Sequence, residues 1–360
     1  MSENAEPPKM DMPPKTVLSQ SPRFDPETQK DELAAYLEEH GYAVVKQVAS
    51  SGEVETGTRL LWEFLESLPA TCVKRDDIRT WGQAGDWLPS HTNGIIGGFG
   101  FGQSDFAWHF RLLPRVRAAF SVVWGGERDL LCSYDGGNVF LPHSYDASWK
   151  TRGGWFHTDQ NALLPGMQGR VCVQGLVTLT DVDSASGGLC VIPGSHKVHP
   201  DVCARVKCAK FLPNFLPIDI RDPVMKIPPI LVAAKAGDLL LWDSRTIHCN
   251  TPAIQSPATD PSHKLDIPRL LRIACYVCMG PARFATKKVI EQRIQGFENN
   301  ESTSHWPHEY HRAGVALPDT PLKCFEKAPK MQQELIRGSC AKQRPFENLV
   351  QSVRNWWMGG

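Results

Sequence analysis

Residues 236–248 read Ala236-Gly237-Asp238-Leu239-Leu240-Leu241-Trp242-Asp243-Ser244-Arg245-Thr246-Ile247-His248. A Gly-Asp turn opens the stretch, four large apolar side chains follow, and a polar loop closes on a histidine. An apolar run that short, bounded by turn residues, reads as a buried strand rather than a helix. The texture continues outward. Across residues 130–277, short apolar runs are separated by Asp135-Gly136, Pro165-Gly166, Ser186-Gly187-Gly188 and Pro193-Gly194. Repeated short strands with turn signals between them predict an antiparallel sandwich or barrel.

Helical patterns flank this core. Leu33, Tyr36 and Leu37 recur at helical spacing before Gly41, and Tyr42-Ala43-Val44-Val45 then starts a strand. Leu60, Leu61, Phe64, Leu65 and Leu68 make one apolar stripe that stops at Pro69; Leu113, Val116, Phe120 and Val123 make another within 112–124. Helix-like pieces return around 287–297 and 332–337. The expected class is therefore mainly β (α+β), a barrel with flanking N- and C-terminal helices. Residues 1–28 carry Pro7, Pro8, Pro13, Pro14, Pro22 and Pro26 with few large apolar groups, and are expected to be a mobile tail. The remaining residues 29–360 are expected to form a single domain: a helical part over 29–129, a β core over 130–280 and an extension over 281–360.

Lys and Arg number 39, as do Asp and Glu, so no basic field draws a nucleic acid. No run approaches the roughly 18 consecutive apolar residues of a membrane span, and residues 1–14 do not resemble a signal peptide. Eleven cysteines without a framework suit a reducing compartment, and a cytoplasmic protein is expected. Cys275 and Cys278 form a C-x-x-C, but on a strand positions three apart face opposite ways, so both are assigned to core packing.

Chemistry enters with Trp155-Phe156-His157-Thr158-Asp159-Gln160. On an extended backbone His157 and Asp159, two apart, share one face, so a single metal can touch both. His248 adds a second imidazole at the end of the stretch quoted above. Two neutral histidines and one carboxylate on one face of an octahedron leave three positions open, the arrangement of iron(II) sites that bind a co-substrate together with dioxygen.

These segments, with Gly187-Gly188-Leu189-Cys190-Val191-Ile192-Pro193-Gly194-Ser195-His196 between them, resemble the phytanoyl-CoA dioxygenase family. The three blocks lie within residues 134–277, and residues 38–45 resemble that family's helix-to-strand entry. The resemblance implies a double-stranded β-helix, a jelly-roll or cupin-like barrel, with iron(II), 2-oxoglutarate and dioxygen as cofactor and co-substrates, and with succinate and carbon dioxide as co-products. It implies His157, Asp159 and His248 as the metal ligands and catalytic centre, acting on a small-molecule substrate. Halogenating relatives lack the carboxylate, so Asp159 implies hydroxylation or another oxidation.

The distal carboxylate of 2-oxoglutarate calls for a guanidinium on a strand after the second histidine. Arg269 and Arg272 both qualify by position; Arg272 is preferred because it shares a strand face with Ala274 and Tyr276, opposite the apolar set Leu271, Ile273, Cys275 and Val277. Many relatives place a hydroxyl residue two after this arginine, where this chain has Ala274, and the insert at 255–268 lengthens the usual spacing. Gln174, on the strand with Leu176 and Thr178, is placed beside the co-substrate. His196 is read as structural, and Trp155 as either a pocket wall or packing.

The segment Ser304-His305-Trp306-Pro307-His308-Glu309-Tyr310-His311-Arg312 gathers three histidines without a recognised zinc spacing. It reads as a surface loop, with a substrate-contacting lid as the alternative. The glycine- and aromatic-rich residues 80–106 read as either a mobile apolar flap or an ordinary loop, and with 297–318 are the expected specificity elements. The terminal Trp357-Met358-Gly359-Gly360 carries no peroxisomal signal, so a peroxisomal acyl-CoA role is not expected. Two rivals to an oxygenase are a catalytically inactive cupin-like small-molecule-binding protein and a zinc hydrolase using the same three residues, although no additional general base for hydrolysis is evident.

Overall fold

Two sheets face one another in the computed structural model, which describes residues 15–339 other than 70, 84–86, 208, 256–268 and 315–320. The strands, in chain order, are β1 (Val17–Ser19), β2 (Arg23–Phe24), β3 (Tyr42–Val45), β4 (Ile95–Ile96), β5 (Leu130–Cys132), β6 (Gly137–Phe140), β7 (His157–Thr158) and β8 (Val173–Thr178). They continue as β9 (Gly188–Val191), β10 (Leu216–Pro217), β11 (Ile230–Val232), β12 (Leu239–Asp243), β13 (His248–Thr251), β14 (Arg272–Tyr276) and β15 (Met279–Pro281). The helices are α1 (Lys30–His40), α2 (Ser51–Ser67), α3 (Asp105–Arg111), α4 (Pro114–Val123), α5 (His199–Arg205), α6 (Lys287–Glu298) and α7 (Lys330–Arg337).

One sheet runs β1-β11-β9-β13-β7-β10 and the other β2-β3-β12-β8-β14-β6-β4, while β15 and β5 form a separate ribbon. This is a double-stranded β-helix. Strand β12 shows why its sequence is apolar throughout. Leu240 and Trp242 point between the sheets, with Leu176, Val191 and Leu231, while Leu239 and Leu241 point outward into the core shared with the helices, beside Leu33, Leu61 and Val177. A strand buried on both faces loses the polar alternation of a half-exposed one.

The flanking helices begin and end as their sequences dictate. Ser50 caps α2 with a reciprocal capping box to Glu53, a device that contributes about 1 kcal/mol. Gly41 ends α1 in the left-handed region, with φ at 77°. A side chain there would collide with His196 and Thr246, so the glycine is required twice over. His196 Nε2 in turn donates a hydrogen bond to Glu38 O, 2.8 Å away, which makes it the latch between the Pro-Gly-Ser-His turn and α1.

One expectation is corrected, and one open alternative is decided. Residues 17–24 are not a loose tail: β1 and β2 add in parallel to β11 and β3. Arg23 forks onto the buried Asp238 carboxylate at 2.7 and 2.8 Å, and the same carboxylate accepts the Gln47 and Lys235 amides. Sheet hydrogen bonds and a buried counter-charge offset what the segment lacks in apolar surface; residues 1–14 lie outside the described residues. The glycine-rich stretch is a packed wall rather than a flap. Phe101 and Phe106 are buried against Phe64 and Phe110, and the Gly102 amide donates to Ser302 Oγ at 2.9 Å.

Candidate metal centre and co-substrate pocket

Strands β7 and β13 pair antiparallel with His157 opposite His248. The register brings the two ring centroids to 4.3 Å. Asp159, on the same face two residues later, lies with Oδ1 3.6 Å from His157 Nε2 and Oδ2 3.2 Å from His248 Nε2. The candidate ligand atoms of all three lie within 4.8 Å of one another, and all three residues are buried.

Each imidazole is oriented from behind. His157 Nδ1 donates to Trp155 O at 3.1 Å and His248 Nδ1 to Thr246 O at 3.0 Å. A carbonyl only accepts, so Nδ1 carries the proton and Nε2 keeps its lone pair toward the shared centre. Burial opposes protonation of both rings; at His157 the Asp159 carboxylate outweighs it and lifts the pKa, while at His248 burial and the neighbouring imidazole hold it down. Burial would raise Asp159, but His157 and His305 keep its carboxyl well below the ordinary range. Two lone pairs and one anionic oxygen, converging in a dry site, fit a divalent transition metal.

Gln174 donates from Nε2 to Asp159 Oδ2 at 2.7 Å. It therefore supports the carboxylate, and it also lines the cavity beside it. Trp155 is a wall: its ring stacks on His157 at 5.0 Å and 10°. Behind the triad lies a cavity of about 250 Å³ that takes in Asp135, Asn250, Tyr276 and His305 as well.

Arg272 sits behind that cavity. It is fully buried on β14, donates from Nη1 to Asn250 Oδ1 at 2.8 Å and lies over the Phe140 ring at 5.0 Å. Its Nε and Nη2 have no partner among the described residues. Burial pushes its pKa down to about 10, with only the Tyr276 hydroxyl countering. A buried guanidinium that lacks an anion is the complement of a carboxylate supplied by a ligand. Arg269, by contrast, is exposed at the edge of the undescribed 256–268 segment, before β14 begins.

The histidine-rich segment is not a surface loop throughout. His305 lines the cavity, and its Nε2 is buried and unpartnered. His308 packs edge-on to Phe284 and Trp306, and His311 is exposed beside Glu309, so the three rings do not converge. Among the described residues, His157, Asp159 and His248 form the metal-competent group. Asp135 and Asn250 were missed by sequence reasoning, whereas Tyr276 lies on the strand face assigned to Arg272 and His305 in the segment for which a substrate-contacting lid was the alternative. The two-residue step from His248 would have found Asn250; Asp135 comes from a turn with no such signal.

Residues 127–257 match the family model described as phytanoyl-CoA dioxygenase. That span, a little over a third of the chain, is similar to the phytanoyl-CoA dioxygenase family. Among curated relatives, "Ava biosynthesis cluster protein O" of Aspergillus versicolor is 28% identical over 298 residues, covering 80% of this chain and 89% of that protein. Among solved structures, "Putative Oxidoreductase from Salmonella typhimurium LT2" has the same fold, with a TM-score of 0.57, 14% identity, and coverage of 88% of this chain and 86% of that one. EctD from S. alaskensis, solved with 2-oxoglutarate and 5-hydroxyectoine, is a more distant likeness: TM-score 0.46, 17% identity, 75% of this chain and 83% of that one. The protein is an iron(II)- and 2-oxoglutarate-dependent dioxygenase, an oxidoreductase. Its matched span includes the triad and stops short of Arg272. Among the described residues no helix is long and apolar enough to cross a membrane.

Proposed function

We propose that His157, Asp159 and His248 hold the iron, that Arg272 anchors the distal carboxylate of 2-oxoglutarate, and that the enzyme hydroxylates or otherwise oxidises a C–H bond of a compact substrate seated beside them. The observation that carries this reading is the pairing of a three-residue metal face with a buried guanidinium lacking a counter-charge, joined through Asn250, which lines the cavity and touches Arg272. Bound iron(II) supplies the dioxygen chemistry that couples 2-oxoglutarate decarboxylation to substrate oxidation.

The chain's own part is arrangement. Gln174 fixes the carboxylate so that both imidazoles and one oxygen meet the metal together. Arg272 and Asn250 set the depth to which the co-substrate enters, with Tyr276 beside them. Trp155 and Phe215, packed near His157, limit access of water to the mouth. The relative named for a biosynthesis cluster supports a biosynthetic setting. Free buried cysteines support a reducing compartment, and we place the protein in the cytoplasm.

The test is anaerobic addition of iron(II) and 2-oxoglutarate to metal-free protein, followed by oxygen and measurement of succinate. The expected result is a charge-transfer absorption band and succinate formation, both lost in His157→Ala. Undiminished succinate in that variant would overturn the assignment.

A further inference from the structure

Resting on the reading above, one side of the cavity has a further use. We propose that Asp135 and His305 form the polar grip for the substrate, and that the substrate is a compact, neutral, largely apolar molecule presenting a hydroxyl group to that pair.

Asp135 lines the cavity. Oδ1 accepts the Gly136 amide at 2.6 Å, and Oδ2 has no partner among the described residues. Across from it, His305 Nε2 is buried and equally unpartnered. Neither is among the three candidate metal ligands or in the Arg272–Asn250 contact.

The pair is held rigidly although its members come from distant parts of the chain. Thr303 donates its amide to Tyr134 O at 2.8 Å, and Tyr134 donates its own to Thr303 Oγ1 at 3.0 Å. The loop of His305 is thereby bolted to the turn of Asp135. Arg111, fully buried, fixes that turn by donating to Asp135 O at 2.6 Å. Gly136 packs so closely on the Ile96 carbonyl that a side chain there has no room, which leaves the turn a single position. Rigid, unsatisfied polar atoms facing a cavity are what a recognition site requires.

The chemistry of the partner follows from the groups. A hydroxyl donates to the carboxylate and accepts from an imidazole N–H, so it satisfies both at once. A carboxylate on the substrate would meet Asp135 and Asp159 together and be repelled. The other surfaces on this side, Ile95, Trp155, Phe215 and Cys278, are apolar and suit a hydrocarbon skeleton. At about 250 Å³ the cavity lies below the roughly 300–1,000 Å³ of most ligand pockets and must also hold 2-oxoglutarate, which limits the enclosed part to about one or two rings.

The experiment uses full-length protein loaded anaerobically with iron(II) and 2-oxoglutarate, titrated with indan-1-ol and with its deoxy parent indane, as well as with 2-naphthol and naphthalene. Binding is read from the perturbation of the charge-transfer band. The wild type is expected to bind at least one alcohol about tenfold or more tightly than its parent hydrocarbon. In His305→Leu and in Asp135→Asn that preference falls to about threefold or less, while the band itself forms as before. Equal binding of every pair by the wild type, binding of no probe, or a preference that survives in both variants overturns the grip. Absence of the band in the wild type is a different failure, that of the metal and co-substrate reading on which the grip rests.

Discussion

Arg272 reaches across the sandwich to Asn250: a guanidinium on one sheet donates at 2.8 Å to an amide oxygen on the other, and no carboxylate among the described residues completes the contact. A buried charge in that condition is carried at a cost to stability and awaits an anion. Arg272→Met is expected to leave the metal-free, ligand-free protein at least as stable as the wild type. The same substitution should abolish the rise in melting temperature that 2-oxoglutarate gives the iron-loaded wild type, a rise that follows from binding the folded state alone. Differential scanning fluorimetry with and without 2-oxoglutarate reads both. A variant that loses stability yet keeps the ligand shift would remove Arg272 from the anchor.

Gln174 makes its 2.7 Å bond to the Asp159 oxygen that also lies 3.2 Å from His248. Gln174→Leu keeps the volume and removes the donor. Metal affinity is expected to fall by about 10- to 100-fold, the usual cost of losing such a support, with little change in folding. Competition against a metal chelator, followed by absorption, measures it.

Acid should destabilise the protein before its ion-paired carboxylates titrate. His199, fully buried, and His308, packed between Phe284 and Trp306, have their pKa pushed down by burial to about 4 each, from an ordinary value near 6.5. The unfolded chain binds these protons first, so the stability they allow is complete above about pH 6.5 and drains away as pH falls towards about 4. The loss is on the order of 3 kcal/mol for each group. Asp243, held low by Arg245 and Arg170 despite its burial, contributes only at lower pH. Urea midpoints across this window, compared with those of His308→Phe, test the sign: the variant should show a shallower decline.

Arg23→Ala removes the one side chain that neutralises the buried Asp238 and leaves that carboxylate its two backbone amides. Because Arg23 is itself partly exposed, the expected cost is about 1–2 kcal/mol. Chemical denaturation measures it, and Arg23→Lys should recover part. A neutral result would return residues 17–24 to the status of a dispensable tail.

The legible part of this molecule was the part governed by local periodicity. The two-residue alternation that set Arg272 with Ala274 and Tyr276, against Ile273 and Cys275, holds in β14, where the two sets lie on opposite faces. The spacing of His157 and Asp159 shows the same rule. What could not be read depends on partners distant in the chain. Residues 17–24 are ordered by strands more than twenty and two hundred residues later, and proline-rich composition carries no trace of that pairing. Phe101 and Phe106 were equally compatible with a flap and with an ordinary loop, because only the tertiary structure reveals Phe64 and Phe110 beside them. Gln174 was placed on the pocket-facing side of its strand, where it lines the cavity, but the face alone did not specify its bond to Asp159.

The cross-sheet contact also works as a ruler. With the metal ligands fixed on one sheet and the guanidinium fixed on β14, the distance between the two attachment points is set by backbone, not by flexible side chains alone. A dicarboxylate one methylene shorter or longer than 2-oxoglutarate would have to give up either the chelate or the ion pair. On the proposed assignment of the triad and Arg272, oxaloacetate and 2-oxoadipate are expected to support far less succinate-analogue formation than 2-oxoglutarate, as a turnover assay with each 2-oxo acid would read.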